Sequence, residues 1–213
     1  MKTIVIATKN KGKIREMEQA FRDLPVQLRP LSDYGDLPEA VEDGTTFAAN
    51  AKIKAKFYME KTGAACLADD SGLEVEILNG APGVYSARFA GEHASDEDNN
   101  EKLIAEITGR GAASSPAAYR CVLAFADTDG TILTSEGSCS GVIRPKAKGS
   151  GGFGYDPYFY IGEDKTMAEL TLTEKDAISH RGIALRQMAR HLSEYLTGKS
   201  EPDSQKDEFN FIK

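Results

Sequence analysis

Asp69 and Asp70 stand side by side, directly after the apolar residues 64–68 and directly before Ser71-Gly72. Adjacent carboxylates repel each other, and burial amplifies the repulsion unless a cation or hydrogen-bond donors offset it. The pattern predicts a strand that ends at the two acids, with Ser71-Gly72 turning the chain. Neighbouring side chains of a strand point to opposite faces, so both acids can enter one site only where the strand ends between them. Two readings are open. A divalent cation could be held there, since Mg²⁺ suits one or two carboxylates together with substrate phosphates. Alternatively, the pair forms an Asx-type turn after the strand. Glu42 and Asp43, ahead of Gly44, are candidate second contributors to a metal.

Three other stretches suit chemistry. In residues 7–16, Lys9, Lys11, Lys13 and Arg15 crowd the start of a predicted helix. That end already carries partial positive charge, which makes it the wrong place for cations unless an anion sits opposite. Free backbone N–H groups and lysines together suit a phosphate chain, although the Walker pattern G-x-x-x-x-G-K-[ST] is absent. A solvated basic turn is the other reading. In residues 149–159, glycines allow close approach of backbone to a ligand. There Phe153 and Tyr155 could stack on a flat base, and Asp156 could read a ring N–H. The other reading is a hairpin loop whose aromatics fill core. In residues 173–188, Ser179 can cap a helix that opens with His180 and Arg181. Arginine presents a planar fork to phosphate or a keto oxygen, whereas a lone histidine more often caps or faces solvent. Phosphates, a divalent metal and a planar base together describe a nucleoside triphosphate with Mg²⁺.

The elements that must position these residues read as an α/β chain. Residues 3–8 are β-branched and apolar, a first strand. Ile14, Met17, Phe21 and Leu24 then recur at helical spacing. A short second strand is predicted near residues 26–31, and a helix over 45–62 that Gly63 ends. Residues 73–78 read as a strand or extended turn before the breakers of 79–83. Ser95 opens a capping-box-like start ahead of Leu103, Ile104 and Ile107. Residues 109–116 read as a flexible linker. Asp127-Thr128-Asp129-Gly130 signals a hairpin between strands at 117–126 and 131–138. A last helix carries Leu185, Met188, Leu192 and Tyr195. Residues 199–213 are a polar tail whose Phe209, Phe211 and Ile212 could dock. There is no internal repeat.

Length and composition bound the rest. A chain of 213 residues allows one sizeable domain, and 40% hydrophobic residues suffice for its core. The net charge of −7 argues against non-specific binding to nucleic acid, which needs a broad basic face, so an anionic ligand must find a local basic pocket. No stretch approaches the roughly 20 apolar residues of a membrane span, and the opening residues read as a strand rather than a signal peptide. Cys66, Cys121 and Cys139 share no metal spacing. Their odd number, without an export signal, points to reduced thiols in the cytoplasm. His93, His180 and His191 form no zinc pattern.

The stretches also resemble a known family. T-x-N-x-x-K (Thr8, Asn10, Lys13), E-D-G-T-T-F-x-x-N-A (42–51), A-D-D-S-G-L (68–73), G-A-P-G-V-Y-S-A-R (80–88), G-G-F-G-Y-D-P (151–157) and S-H-R-G (179–182) are similar to the motifs of the inosine triphosphate pyrophosphatases, or XTP/dITP diphosphatases. They run in that family's order across nearly the whole chain. The resemblance implies an α/β fold with an elongated mixed sheet flanked by helices, two lobes around a central substrate cleft within residues 1–198, and a homodimer. It implies hydrolysis of ITP, dITP and XTP to the monophosphate and pyrophosphate, which cleanses the nucleotide pool, with Mg²⁺ as cofactor. By position, Thr8, Lys9, Asn10, Lys11, Gly12 and Lys13 would cradle phosphates. Glu42 and Asp70 would serve Mg²⁺, and Asp70 would accept the proton of water, supported by Asp69. Ser71, Lys175, His180 and Arg181 would bind substrate, and Phe153, Gly154, Tyr155 and Asp156 would hold the base. Glu76 stands where that family commonly has Asp, and 144–146 departs from its pattern. The rivals are a Maf-like pyrophosphatase acting on dTTP or modified pyrimidines, and a nucleotide sensor without catalysis.

Overall fold

The computed structural model describes residues 1–198; the predicted tail, 199–213, lies outside them. The first apolar run forms β1 (Lys2–Ile6). Its side chains alternate, Ile4 and Ile6 entering one core cluster and Val5 another. Asn10 starts α1 (Lys11–Phe21) by accepting hydrogen bonds from the backbone N–H groups of Gly12 at 2.8 Å and Lys13 at 3.1 Å. β2 (Val26–Pro30) returns parallel to β1. α2 (Phe47–Thr62) is capped by the Thr46 hydroxyl and stopped by Gly63 in the left-handed region, as its sequence predicts.

β3 (Ala65–Val75) differs from expectation. It does not end at Asp69-Asp70 but runs on through Ser71-Gly72, paired antiparallel with β4 (Ser115–Ala126) from Cys66↔Ala126 to Val75↔Ala117. Ser and Gly favour turns locally, yet the long pairing partner overrides that preference, as tertiary context does with weak propensities. The two acids therefore face opposite sides of the sheet. The segment predicted as a strand over 73–78 is split between the end of β3 and a short 3-10 turn, Glu76–Leu78.

α3 (Asp96–Gly109) opens with the capping box of Ser95 and Asp98. The proposed linker is shorter than expected, since β4 starts at Ser115. β4 and β5 (Ile132–Ile143) form the predicted hairpin, longer than the sequence suggested. β6 (Phe159–Tyr160) and α4 (Leu172–Ile178) had no clear sequence signal. α5 (His180–Thr197) starts where Ser179 caps it, its side chain accepting from Gly182 N–H at 3.0 Å.

The six strands form one mixed sheet in the order β2-β1-β3-β4-β5-β6, with β1 parallel to both neighbours and the rest antiparallel. α1 and α5 cover one face through Met17, Phe21, Leu185, Met188 and Leu192. α2 covers the other through Ala51, Ala55 and Tyr58. A third cluster, under α3, holds Leu73, Val75, Leu103, Ile107, Tyr119 and Phe159. On one face of β3, Ala65 and Leu67 belong to the first cluster and Leu73 and Val75 to the third. Asp69 and Ser71 are the positions between them, so the polar residues mark the gap between two cores. Along the edge of β3, β1 pairs only with Ala65, Cys66 and Leu67. Among the described residues, the next bridge on that side is Glu74↔Pro82. The stretch of edge between faces the loop after β1, where ligands gather in open α/β sheets.

Candidate active site

Asp69 is buried, 1% exposed, and gathers the cations of the gap. Its Oδ2 lies 2.9 Å from Lys13 Nζ and 3.4 Å from Arg181 Nε, and accepts from Ser71 Oγ at 3.1 Å. Arg181, equally buried, also donates to Ser71 Oγ at 3.0 Å and to Glu16 Oε2 at 2.8 Å. Burial opposes ionisation of Asp69, but Lys13 and Arg181 outweigh it and hold the carboxyl well below the usual range. Its Oδ1 has no hydrogen-bond partner. Asp69 thus acts first as the counter-ion that orders Lys13 and Arg181.

Asp70 leaves the opposite face. It accepts a hydrogen bond from Asn50 Nδ2 at 3.0 Å, and burial lifts its carboxyl to about 6 even though Lys54 and Asn50 favour the charged form. Glu42, nearby, adds to the lift. Lys54 Nζ lies 2.8 Å from Glu42 Oε2 and donates to the Asp69 carbonyl at 3.1 Å. Two carboxylates and one ammonium leave this corner one negative charge in excess. All its acceptors are hard oxygens, the donor set that Mg²⁺ takes. Glu42 and Asp70 therefore fit a divalent ion bound together with phosphate oxygens.

On the Asp69 face lies a cavity of about 220 Å³ lined by Asn10, Lys13, Ser71, Tyr119, Phe153, Lys175, His180, Arg181 and neighbours. Lys175 Nζ sits 4.6 Å and Arg181 Cζ 5.4 Å from the centre of the Phe153 ring. Asp156 is already engaged: Oδ1 accepts from Tyr119 OH at 3.2 Å, and Oδ2 from Lys175 Nζ at 2.6 Å and Phe153 N–H at 3.0 Å. Instead of being free to read a ring N–H, it holds Lys175 and the loop. Gly152, φ 74°, permits this, since a Cβ there would overlap the Asp156 carboxylate. Tyr155 packs in the third cluster and donates to Ser86 O at 2.7 Å, which leaves Phe153, half-buried in the cavity wall, as the ring for stacking. The His180 ring stacks on Tyr119 at 4.6 Å and 13°. Burial, then the Arg181 and Lys175 cations, keep the imidazole neutral, and its Nδ1 lacks a partner. A larger cleft, about 500 Å³, crosses the sheet by Glu74, Arg120 and Glu136, but it contains none of the site residues expected from sequence.

The sequence matches the model of the Ham1 family over residues 4–191. The chain belongs to the Ham1 family. It is 50% identical over 185 residues to the dITP/XTP pyrophosphatase of Desulforamulus reducens, covering 86% of this chain and 92% of that protein. It is 49% identical over 193 residues to the dITP/XTP pyrophosphatase of Geobacter sulfurreducens, covering 90% and 97%. Among solved structures, a HAM1 protein from Coxiella burnetii superposes with a TM-score of 0.84 at 40% identity, covering 91% of this chain and all of that one. The Staphylococcus aureus Ham1 protein superposes with a TM-score of 0.81 at 39% identity, with 91% of this chain covered. The α/β architecture with one mixed sheet is therefore the Ham1 fold.

In this Ham1-family chain the predicted residues divide into groups. Asn10, Lys13, Ser71, Phe153, Gly154, Tyr155, Asp156, Lys175, His180 and Arg181 line one cavity, with Asp69 directly behind it. Glu42, paired with Lys54, is near enough to Asp70 for its charge to be felt there. Thr8 accepts from Asn10 N–H at 3.2 Å and shapes the loop. The side chains of Lys9 and Lys11 are not brought in: Lys9 pairs with Glu39 at the surface at 3.1 Å, and Lys11 is exposed. Sequence reasoning missed Asn50, Lys54 and Tyr119. For the first two a signal existed: they are polar residues one helical turn apart, beside the apolar stripe Ala51, Ala55, Tyr58.

Proposed function

We propose that this chain hydrolyses the deaminated purine nucleotides ITP, dITP and XTP to the monophosphate and pyrophosphate, using Mg²⁺ at Glu42 and Asp70. The 49–50% identity to proteins named dITP/XTP pyrophosphatases supports the reaction. The observation that carries the assignment of roles is the split across β3: Asp70, held by Asn50 and lifted to about 6, leaves one face, and the cavity that can take a base lies on the other.

The base would stack on Phe153 inside the cavity. Lys175, oriented by Asp156, and the neutral His180 offer donors to a 6-keto oxygen. ATP carries an amino donor at that position and would leave them unpaired, each at about 1–3 kcal/mol. The phosphates would run past Asn10, Lys13 and Ser71 to the edge of β3. There Lys13 and Arg181, released in part from Asp69, oppose their charge. A bound Mg²⁺ would neutralise phosphate oxygens and favour the ionised form of its two carboxylates. Asp70 then takes a proton from the attacking water as its oxygen bonds to phosphorus. The P–O bond at the α–β bridge breaks, and pyrophosphate leaves. Asp70 in its ionised form has the free lone pair this general-base step needs.

Pyrophosphate release over a panel of ITP, dITP, XTP, ATP and dTTP with Mg²⁺ tests the reading. Preference for the first three is expected. Faster release from dTTP would favour the Maf-like rival, and tight binding without release would favour a sensor. The family resemblance further supports a homodimer, checked by light scattering. Among the described residues no helix is long and apolar enough to cross a membrane.

A further inference from the structure

The loop that carries Phe153 does not hold itself in place. Gly154, at its tip, has φ 62° and is gripped at both polar atoms by α3. Asp96 Oδ2 accepts from Gly154 N–H at 2.6 Å, and Asn100 Nδ2 donates to Gly154 O at 2.9 Å. The two residues are four apart, so they share one face of the helix at its start. Between them Asn99 turns the other way. Its Nδ2 donates to Ala87 O at 3.3 Å and its Oδ1 accepts from Ala90 N–H at 2.8 Å. It thereby fixes the 3-10 turn Gly83–Arg88, which supplies Ser86 and Ala87 to the cavity wall. That turn is in its own right joined to the loop, through Tyr155 OH to Ser86 O. Asn99 and Asn100 are both buried, and the Ser95–Asp98 capping box pins the turn they sit on.

We propose that Asp96, Asn99 and Asn100 are positioning residues that set the width of the base pocket and, through it, selectivity for the base. This deepens the reading of the cavity as a purine site and rests on it. The three side chains hold two segments of the cavity wall, one bearing the stacking ring and the Lys175–Asp156 pair, the other Ser86 and Ala87, and Asp96 and Asn99 line the cavity beside them. The phosphate cradle of Asn10, Lys13 and Ser71 belongs to other elements and makes no contact with this turn among the hydrogen bonds of the described residues. Loosening α3 should therefore widen the base site while leaving the phosphate site as it is.

The test compares Asp96→Ala and Asn100→Ala with Asp96→Asn, which keeps an oxygen acceptor for Gly154 N–H, and with Glu101→Ala, an exposed control on the same helix. Loss of one such hydrogen bond should raise KM for ITP by about tenfold, with kcat changing less. The ratio of kcat/KM for ITP over ATP should fall in step, inhibition by tripolyphosphate should be unaltered, and Asp96→Asn should recover most of the loss. Unchanged KM and unchanged ITP-to-ATP ratio in folded Asp96→Ala would overturn the proposal. So would tripolyphosphate inhibition weakening in parallel, which would mean general loosening. Should the buried Asn100 variant fail to fold, the exposed Asp96 pair decides. Failure of the wild-type protein to prefer ITP over ATP would instead remove the purine reading itself.

Discussion

Asp69 and Asp70 are chemically identical neighbours with opposite fates, and the difference lies in what each face of β3 offers. Asp69 meets two cations and is held ionised; Asp70 meets one amide and one shared ammonium, and burial lifts it to about 6. An acid raised from its ordinary value of 3.8 to about 6 opposes folding above that pH by something on the order of 2–3 kcal/mol. Asp70→Asn removes this charge and keeps an oxygen for Asn50 Nδ2. The variant should therefore lose the general base, a loss of about 10²–10⁴-fold in turnover, and at the same time unfold at a higher temperature near pH 8. Nucleotide affinity should change far less, because Lys13, Phe153 and Arg181 are untouched. Pyrophosphate release at saturating ITP and a thermal melt in metal-free buffer check the two halves. Wild-type turnover would remove Asp70 from the proposed role, and a lower melting temperature would contradict its buried, strained charge.

At the scale of elements, α2 is what brings the metal-binding candidates together. Asn50 accepts from Gly44 N–H at 2.8 Å and donates to Asp70, so one side chain ties the Glu42 loop to the strand. Asn50→Ala should leave Glu42 and Asp70 present but unregistered, and each lost hydrogen bond of this kind weakens its target by about 0.5–1.5 kcal/mol. The expected result is a Mg²⁺ activation curve shifted about tenfold or more to higher concentration, with little change in KM for ITP at saturating metal. An unshifted curve would mean that the loop holds Glu42 unaided. Little of this arrangement was legible in the sequence, whereas local signals were read well. The Ser179 cap, the Ser95 box, the Gly63 stop and the Asp127–Gly130 turn all lie within a few residues of what they control. The run through Asp69-Gly72 was misread because its strand state is imposed by β4, about fifty residues on, while Ser and Gly argue locally for a turn. Asp96 and Asn100 escaped for the same reason, since their partners are distant in the chain. The motif order, by contrast, pointed to the cavity residues without revealing that Asp156 serves Lys175 and the loop.

The whole molecule should register both acids in its pH dependence. Asp69 has a folded pKa below its unfolded one, so its contribution is fully present above about pH 4 and is lost as pH falls further. Asp70 has the reverse sign. Between 3.8 and about 6 the unfolded chain has released that proton and the native state still holds it. Native stability therefore declines as pH rises through that window. Together the pair favours a maximum near pH 4, a more acidic position than the pH 5–8 common for proteins. Since the sheet is continuous from β2 to β6 and both acids sit in its central strand, the effect should appear in global unfolding rather than in fraying of one element. Mg²⁺ should act on one arm alone. By binding the native carboxylate pair it stabilises the folded state by mass action, which should raise the melting temperature at pH 8 and leave it unchanged at pH 4, where Asp70 is protonated. Melting curves of wild type, Asp69→Asn and Asp70→Asn from pH 3 to 8, with and without Mg²⁺, separate the contributions. Asp69→Asn should flatten the acid arm and lower stability at pH 7 by about 3 kcal/mol, because it removes the buried partner of Lys13 and leaves Arg181 with Glu16 as its one carboxylate. Asp70→Asn should flatten the other arm and lose most of the response to Mg²⁺. An Asp70→Asn protein that still gained stability from Mg²⁺ at pH 8 as wild type does would place the metal elsewhere than on Glu42 and Asp70.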